Sequence, residues 1–358
     1  MEYREFDFWY YRFLNGEYDL DYERDKDKKI HELSNMPIDV MEEIVEHLDI
    51  FNRLVVRNVS RDLRELIDKR ATSVKRIEFS IQSWRNTFSV CIDNVITNYK
   101  ESSKPKTSES HFRRFHNDSK DTLLTFIEGP DAMKKSLIHL AHYLQNPNLK
   151  LKFLEIGVCT ADYQGYEHDD WSIVQKCHKK LEPFLLSLKH QISTEMFSGS
   201  NVSERRFLMT LKSLKPGVLK SIGGEVYWSK IGIINEIVGT EQWKQAKRFI
   251  SWGGMPALID GVAHFEEFAM DWYDNNPGSV VRLRQLLFES KAFKKGQLSL
   301  LNPPDFDIID RAVEALGPRI FRYPEDPLKW SYPIPDTNEF LDFHQDGGMD
   351  VFYIERTT

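Results

Sequence analysis

Apolar and polar positions along residues 37–67 repeat with the period of a helix. On a wheel of about 100° per residue, Val40, Met41, Ile44, Val45 and Leu48 fill one arc, and Asp39, Glu42, Glu43 and Glu46 fill the opposite one. Pro37 stands just ahead of the first turn, where a missing N–H costs nothing, and the acids after it suit the positive end of the helix dipole. Ser60 is placed to cap a second helix that carries Leu63, Leu66 and Ile67 on one side. A segment of this size is marginal as an independent core. Its apolar face is therefore expected to meet either the rest of the chain or a partner.

The pattern changes downstream. Within residues 74–99, VKRIEFSIQ and FSVCIDNVIT are rich in β-branched and aromatic residues and predict a hairpin. Residues 101–120 are poor in aliphatics and read as a surface loop, including the basic pair Arg113-Arg114. From Asp131 onward helical and extended stretches alternate: AMKKSLIHLAHYL then LKLKFLEIGV, DWSIVQKCHKKLEPFLLSL then HQISTEMFS, and so on to KKGQLSLLN. Strands separated by helices run parallel, with right-handed crossovers. Units of roughly 20–40 residues stacked side by side give a curved, leucine-rich-repeat-like solenoid. The strict L-x-x-L-x-L-x-x-N consensus is absent, so a compact α/β domain is the other expectation. The fold class is thus α+β or α/β, a small helical N-terminal unit followed by a strand-helix repeat.

Two resemblances give these elements a role. Met36-Pro37, Asp39, Val40, Ile44, Leu48, Leu54 and then Arg57-Asn58-Val59-Ser60-Arg61-Asp62-Leu63-Arg64 resemble, in order and without gaps, the F-box pattern. That resemblance implies binding to the small adaptor that links F-box proteins to a cullin-RING ubiquitin ligase. Met36, Pro37, Ile38, Val40, Ile44, Leu54, Val59 and Leu63 are the candidate contacts, some of which are expected to be core instead. Further on, Thr240-Glu241-Gln242-Trp243-Lys244-Gln245-Ala246-Lys247, His264-Phe265-Glu266-Glu267-Phe268, Leu286 to Lys295, and Tyr332-Pro333-Ile334-Pro335 through Phe343 are similar to the FTH domain of nematode F-box proteins. This implies a protein-binding domain over about residues 200–355 and leaves the ligand unidentified. The aromatic run Trp9 to Leu20 resembles the closing helix and turn of mariner-type transposase DNA-binding domains. The other helices of that fold are missing, so DNA is not the expected partner. The organisation read from the chain is 1–33, an aromatic segment and linker; 34–80, the F-box; 81–199, strands and helices with the polar loop; and 200–355, the FTH domain.

Composition narrows the rest. A net charge of −7 with 29% charged residues argues against a chain built to grip phosphate backbones. Three cysteines, Cys91, Cys159 and Cys177, lie far apart with no C-x-x-C pair, which suggests neither a disulfide framework nor a zinc cage. No apolar run approaches the roughly 18 residues that span a bilayer, and the start MEYREFDFWYY lacks the form of a signal peptide. A cytoplasmic or nuclear location follows as an expectation. No cofactor is called for. His139 and His142 have no accompanying Glu as a metalloprotease base, adjacent Cys177 and His178 should point to different helix faces, and Gly223-Gly224 and Gly253-Gly254 read as turns. The chain is expected to be a non-catalytic specificity subunit that brings an adaptor and a protein substrate together. A scaffold that regulates a partner, such as an RNA-binding protein, without ubiquitin transfer is the alternative. Tyr227, Trp228, Trp252, Trp272 and Tyr273 are strand-borne aromatics that could line the partner surface or fill the space beneath it.

Overall fold

In a computed structural model, which describes residues 3–19, 36–48, 50–57, 59–69, 72–104, 106–112, 122–159, 171–228, 230–255, 259–272, 277–300, 308–326, 328–346 and 351–358, the wheel and the cap are realised as expected. After α1 (Tyr3–Leu14) come α2 (Ile38–His47), α3 (Ile50–Arg57) and α4 (Arg61–Lys69). Pro37 precedes the first turn of α2 and its carbonyl accepts from the N–H of Met41. Ser60 Oγ accepts from the N–H of Leu63 at 3.2 Å, which satisfies an otherwise orphaned donor of α4. The far end of α2 is closed by Arg53, whose guanidinium donates to the carbonyls of Val45, Glu46 and Leu48. A cation on free carbonyls at a helix C-terminus also offsets its dipole.

Contacts within the chain divide it into two units, Met1–Ile67 and Asp68–Thr358. In the first, Met41 and Val45 of α2 close on Leu63, Leu66 and Ile67 of α4, with Met36 and Val56 packed against them. The second unit is organised by a single 14-stranded sheet. Its strands and helices follow in the order β1 (Thr72–Gln82), β2 (Thr87–Ile92), β3 (Val95–Glu101), β4 (Lys106–Phe112), β5 (Thr122–Gly129), α5 (Ala132–Leu144), β6 (Leu149–Cys159), α6 (Trp171–Ser187), β7 (Ser193–Ser203), α7 (Glu204–Lys212), β8 (Ser221–Tyr227), α8 (Ile231–Val238), α9 (Glu241–Gln245), β9 (Arg248–Met255), α10 (Ile259–Val262), β10 (Glu267–Trp272), α11 (Pro277–Glu289), β11 (Lys295–Leu300), α12 (Ile308–Ala315), β12 (Lys329–Pro333), β13 (Phe340–Gln345) and β14 (Val351–Thr357).

Across the sheet the order is β12-β13-β14-β11-β10-β9-β8-β7-β6-β1-β2-β3-β5-β4. From β1 through β6, β7, β8, β9 and β10 to β11 every neighbouring pair is parallel, and spatial order follows chain order. This is the order of a solenoid; a doubly wound sheet would reverse direction partway. The helices lie beside one another, α5 on α6, α6 on α7, α7 on α8, α8 on α9, α10 on α11 and α11 on α12, and form a layer on one face.

Register shows the repeat that residue identity hides. Ile77, Leu154, Phe197, Ile222, Phe249, Phe268 and Gly296 stand side by side across the parallel strands. Two residues on, Phe79, Ile156, Gly199, Gly224, Ser251, Met270 and Leu298 form a second row. Both rows are mostly buried and face the helices, as the ring contacts of Phe197 with Phe207 of α7 and of Phe249 with Trp243 of α9 show. Three residues before the first row another buried position recurs: Val74, Leu151, Thr194, Leu219, Ala246, Phe265 and Phe293. Between these two buried columns, two consecutive residues turn outward where strict alternation allows one. Backbone hydrogen bonds give the reason. The N–H groups of Lys247 and Arg248 both donate to the carbonyl of Lys220, those of Glu266 and Glu267 to Lys247, and those of Lys294 and Lys295 to Glu266. Two residues opposing one is the geometry of a bulge, here repeated strand after strand. At β1 the carboxylate of Asp93 takes that place and accepts from Lys75 and Arg76 at 2.8 and 2.9 Å.

Two readings change. Part of the expected loop 101–120 is strand β4, at the sheet edge, held there by antiparallel pairing with β5. Arg113-Arg114 lies outside the described residues. Gly223-Gly224 and Gly253-Gly254 sit in strands and not in turns. A Cβ on Gly223 would stand 2.1 Å from the carbonyl oxygen of Ile250, and one on Gly224, whose φ is +121°, 2.1 Å from that of Gly199. β8 therefore approaches both neighbours more closely than a side chain permits. Cys177 and His178, adjacent on α6, are both buried.

Candidate protein-binding surfaces

The helices of the first unit carry more apolar surface than their core consumes. Met41 and Val45 face inward on α2, whereas Val40 and Ile44, one residue earlier in each pair, are 43% and 41% exposed. Ile38 at the start of the same helix is 60% exposed, and Val59, just ahead of α4, is 65% exposed. Leu63, a candidate contact from sequence, is 4% exposed and belongs to the core. Met36 is half-buried against that core, and Pro37 is exposed. The side chain of Leu54 lies outside the described residues. The apolar arc seen on the wheel thus splits into an inner stripe that folds the unit and an outer set left in water.

In the second unit the helix layer covers one face of the sheet, and among its described residues no helix covers the other. Residues alternating with the buried rows occupy the open face. Phe153, Met196 and Ser221 line up there on β6, β7 and β8, and one row further Glu155, Ser198, Gly223 and Ile250 do the same. Ser200 Oγ donates to Glu155 Oε1 from the next strand at 2.5 Å. Trp252 pairs in register with Glu225 on this face and is 46% exposed. Trp228 is the opposite case. It is 7% exposed, its Nε1–H donates to Ser251 Oγ at 3.1 Å, and its ring meets Phe207 of α7 edge-on at 5.6 Å. Trp228 is core and not contact surface, because the chain turns inward after β8 and the indole N–H finds a buried acceptor there. Tyr227 and Trp272 end their strands, but their side chains, and all of Tyr273, lie outside the described residues.

Where the strands begin, the outward bulge residues form a charged row. Lys220 pairs with Glu195 at 2.9 Å, Lys247 and Lys294 with Glu266 at 2.8 and 2.6 Å, and Arg248 and Lys295 with Glu267 at 3.4 and 3.5 Å. Hydrogen bonds from Lys247 and Lys294 hold the Glu266 carboxyl down to about 2, and the hydrogen bond from Lys220 lowers Glu195. Register, invisible in sequence, brings these residues together, since each pair is separated by a whole helix.

The groups that could have suggested chemistry are held neutral. Burial pushes the Cys177 thiol up to about 12 and the His178 imidazole down to about 3, which keeps an imidazolium-thiolate pair from forming at neutral pH. His139 is lowered to about 4 by burial and by His142, and its Nδ1 lies 3.0 Å from the Tyr99 hydroxyl. Among the described residues, no group of three or more His, Cys, Asp or Glu side chains could hold a metal ion, and no helix is long and apolar enough to cross a membrane.

A small helical unit with surplus apolar surface, followed by a strand-helix solenoid with one open face, is the architecture of an interaction subunit. Comparison with known families says which. The F-box domain model matches residues 33–73, and the FTH domain model matches residues 175–313. The chain is 26% identical over 305 residues to F-box A protein 224 of Caenorhabditis elegans, covering 82% of this chain and 73% of that one. The chain therefore carries an F-box domain followed by an FTH domain, as the two resemblances implied. The FTH match begins within α6 and ends within α12, which places it on the repeat from β7 to β11 and its covering helices.

Proposed function

We propose that the chain is the substrate-recruiting subunit of a cullin-RING ubiquitin ligase, with the outer apolar set of the F-box binding the adaptor and the open face of the sheet binding the protein to be modified. The observation that carries this reading is the surplus at α2: a core built from Met41, Val45, Leu63, Leu66 and Ile67 leaves Ile38, Val40, Ile44 and Val59 in solvent. Val40 and Ile44 stand one turn apart on the same side of α2, and adjoining exposed apolar side chains mark an interaction site. Burying one Ile or Val contributes about 1.5–3 kcal/mol, enough for a few residues to decide whether the adaptor is held. The chain acts by bringing two other proteins together and contributes effective concentration in place of bond chemistry.

The open face suits the second role because strands lie about 4.8 Å apart while helices are about 10 Å across. A stacked helix layer needs more room, so the strand side becomes the inner surface, the one repeat proteins use for partners. The test uses purified chain and adaptor. Changing Pro37 and Ile44 together to serine is expected to weaken adaptor capture at least about tenfold, the equivalent of about 1.4 kcal/mol, without changing the melting temperature. No association of the unaltered chain with the adaptor would refute the proposal. A partner whose abundance in cells does not respond to loss of the chain would point to regulation without ubiquitin transfer.

A further inference from the structure

The charged row at the strand starts is the surface that the reading above does not yet use. In a chain of net charge −7, its outermost column carries lysine at 75, 152, 220, 247 and 294 and glutamate at 195 and 266. The lysines fall into two blocks. Lys75, Lys150 and Lys152 stand together on β1 and β6, all exposed, and among the described residues none makes an ion pair within 4 Å. Lys220, Lys247 and Arg248, each ion-paired to a glutamate of the repeat, form the second block at the starts of β8 and β9. β7 lies between, where Glu195 pairs with Lys220 and also feels the charge of Lys152, and the apolar Met196 beside it is 39% exposed.

We propose that this rim binds an acidic, extended segment of the recruited protein, laid across the strands, with one carboxylate at the β1–β6 lysines, a second at the β8–β9 block and an apolar side chain between them on Met196. The spacing supports it. The centres of the two blocks are three strand intervals apart, about 14 Å at 4.8 Å each, and four residues of extended chain cover nearly the same distance at about 3.4 Å per residue. Residues i and i+4 of such a chain face the same way, as does i+2, so the row reads acid-x-apolar-x-acid. The rim already shows its preferred ligand, since Glu195 and Glu266 from within the repeat are held ionised by its lysines. Nucleic acid is the poorer fit. A continuous phosphate backbone would meet Glu195, Glu266 and Glu267 within the same row, and the charge of the whole chain would oppose its approach. The inference rests on the open face as the partner surface and is independent of adaptor binding.

The experiment is a fluorescence-anisotropy titration of the intact chain against a labelled peptide carrying Glu-Ser-Leu-Ser-Glu between Gly-Ser ends. The same peptide with Gln for Glu, the peptide with Ser for Leu, and an oligouridylate serve as comparisons. Binding of the Glu peptide, weakened at least about fivefold in the paired charge reversal Lys150→Glu with Lys152→Glu and by less than about twofold in Lys134→Glu with Lys135→Glu, two exposed residues of α5, is the expected result. Gln for Glu, and Ser for Leu, are each expected to weaken it. The proposal is overturned if the Glu peptide does not bind, if both pairs of reversals weaken it equally, or if the oligouridylate binds more tightly. Should Trp252→Ala abolish capture of a native partner while the Glu peptide fails to bind, the open-face reading stands and the acidic-segment proposal alone falls.

Discussion

Two tryptophans, Trp228 just after β8 and Trp252 within β9, test the assignment of inner and outer surface directly. Replacing Trp228 by alanine removes a nearly buried indole, its edge-on contact with Phe207 and the hydrogen bond to Ser251, itself almost fully buried. Large-to-small changes at buried aromatics cost about 3–5 kcal/mol. Of that, the aromatic contact accounts for about 0.5–1.5, and the stranded hydroxyl of Ser251 for about 1–3. Trp252→Ala removes an indole that is half in water on the opposite face, and surface changes of this kind stay within about 0.5 kcal/mol. Urea unfolding followed by far-UV circular dichroism measures both. In a domain of this size melting should fall on the order of 2 °C for each kcal/mol, so the Trp228 variant should melt roughly 6–10 °C lower and the Trp252 variant within about 1 °C of the unaltered chain. Trp228→Phe, which keeps a ring and loses the N–H, should fall between them. A Trp228→Ala cost below about 1 kcal/mol, or a Trp252→Ala cost above about 2, would refute the orientation of β8 and β9 on which the open face depends.

Within the F-box, Leu63→Ala should cost about 2–5 kcal/mol as a core truncation, whereas Ile38→Ser should leave melting nearly unchanged; equal losses in a thermal scan would contradict the split between inner and outer apolar sets. Asp342 is buried and accepts from Ser331, Tyr323 and Thr357 at 2.6 to 3.0 Å. Asp342→Ala should therefore cost at least about 1.5–3 kcal/mol, the range for a hydrogen bond to a charged group, and free the segment after α12 to proteolysis; an unchanged digestion pattern would count against that tie. Burial holds His178 at about 3 and His139 at about 4, below the unfolded value near 6.5, so the unfolded chain binds more protons. Stability is complete above pH ~6.5 and is lost as pH falls towards those values. His178→Gln should flatten the decline of the urea midpoint across that window, and a midpoint profile parallel to the original would disprove the assignment.

The F-box could be read from sequence because its signal is contiguous: the capping serine, the proline and the spacing of apolar residues all lie within one short stretch. The alternation of helix and strand after Asp131 was legible for the same reason, each element announcing its own period. The fate of equivalent-looking residues was not. Val40 and Met41 are neighbours on one apolar arc, and only the position of α4 decides that Met41 packs while Val40 waits in solvent. Trp228 and Trp252 look alike until the strand register assigns them to opposite faces.

The repeat was legible as an architecture, whereas its residue consensus was not, for a different physical reason. A leucine-rich consensus is recognisable when every unit fills its columns with the same side chain, but these columns hold side chains of very different volume. Phe268 stands beside Gly296, and a Cβ on that glycine would lie 2.4 Å from the Phe268 ring. Phe207 likewise reaches to within 2.8 Å of where a Cβ of Gly199 would be. Large residues on one strand or helix thus occupy the space their small neighbours leave, and close packing is kept across the row without being kept at each position. What recurs is backbone: two N–H groups on one carbonyl at the start of β9, β10 and β11. Such a pattern constrains which residues point outward and leaves their chemistry free. That freedom lets an open face and its charged rim vary with the partner while the stack beneath them stays the same.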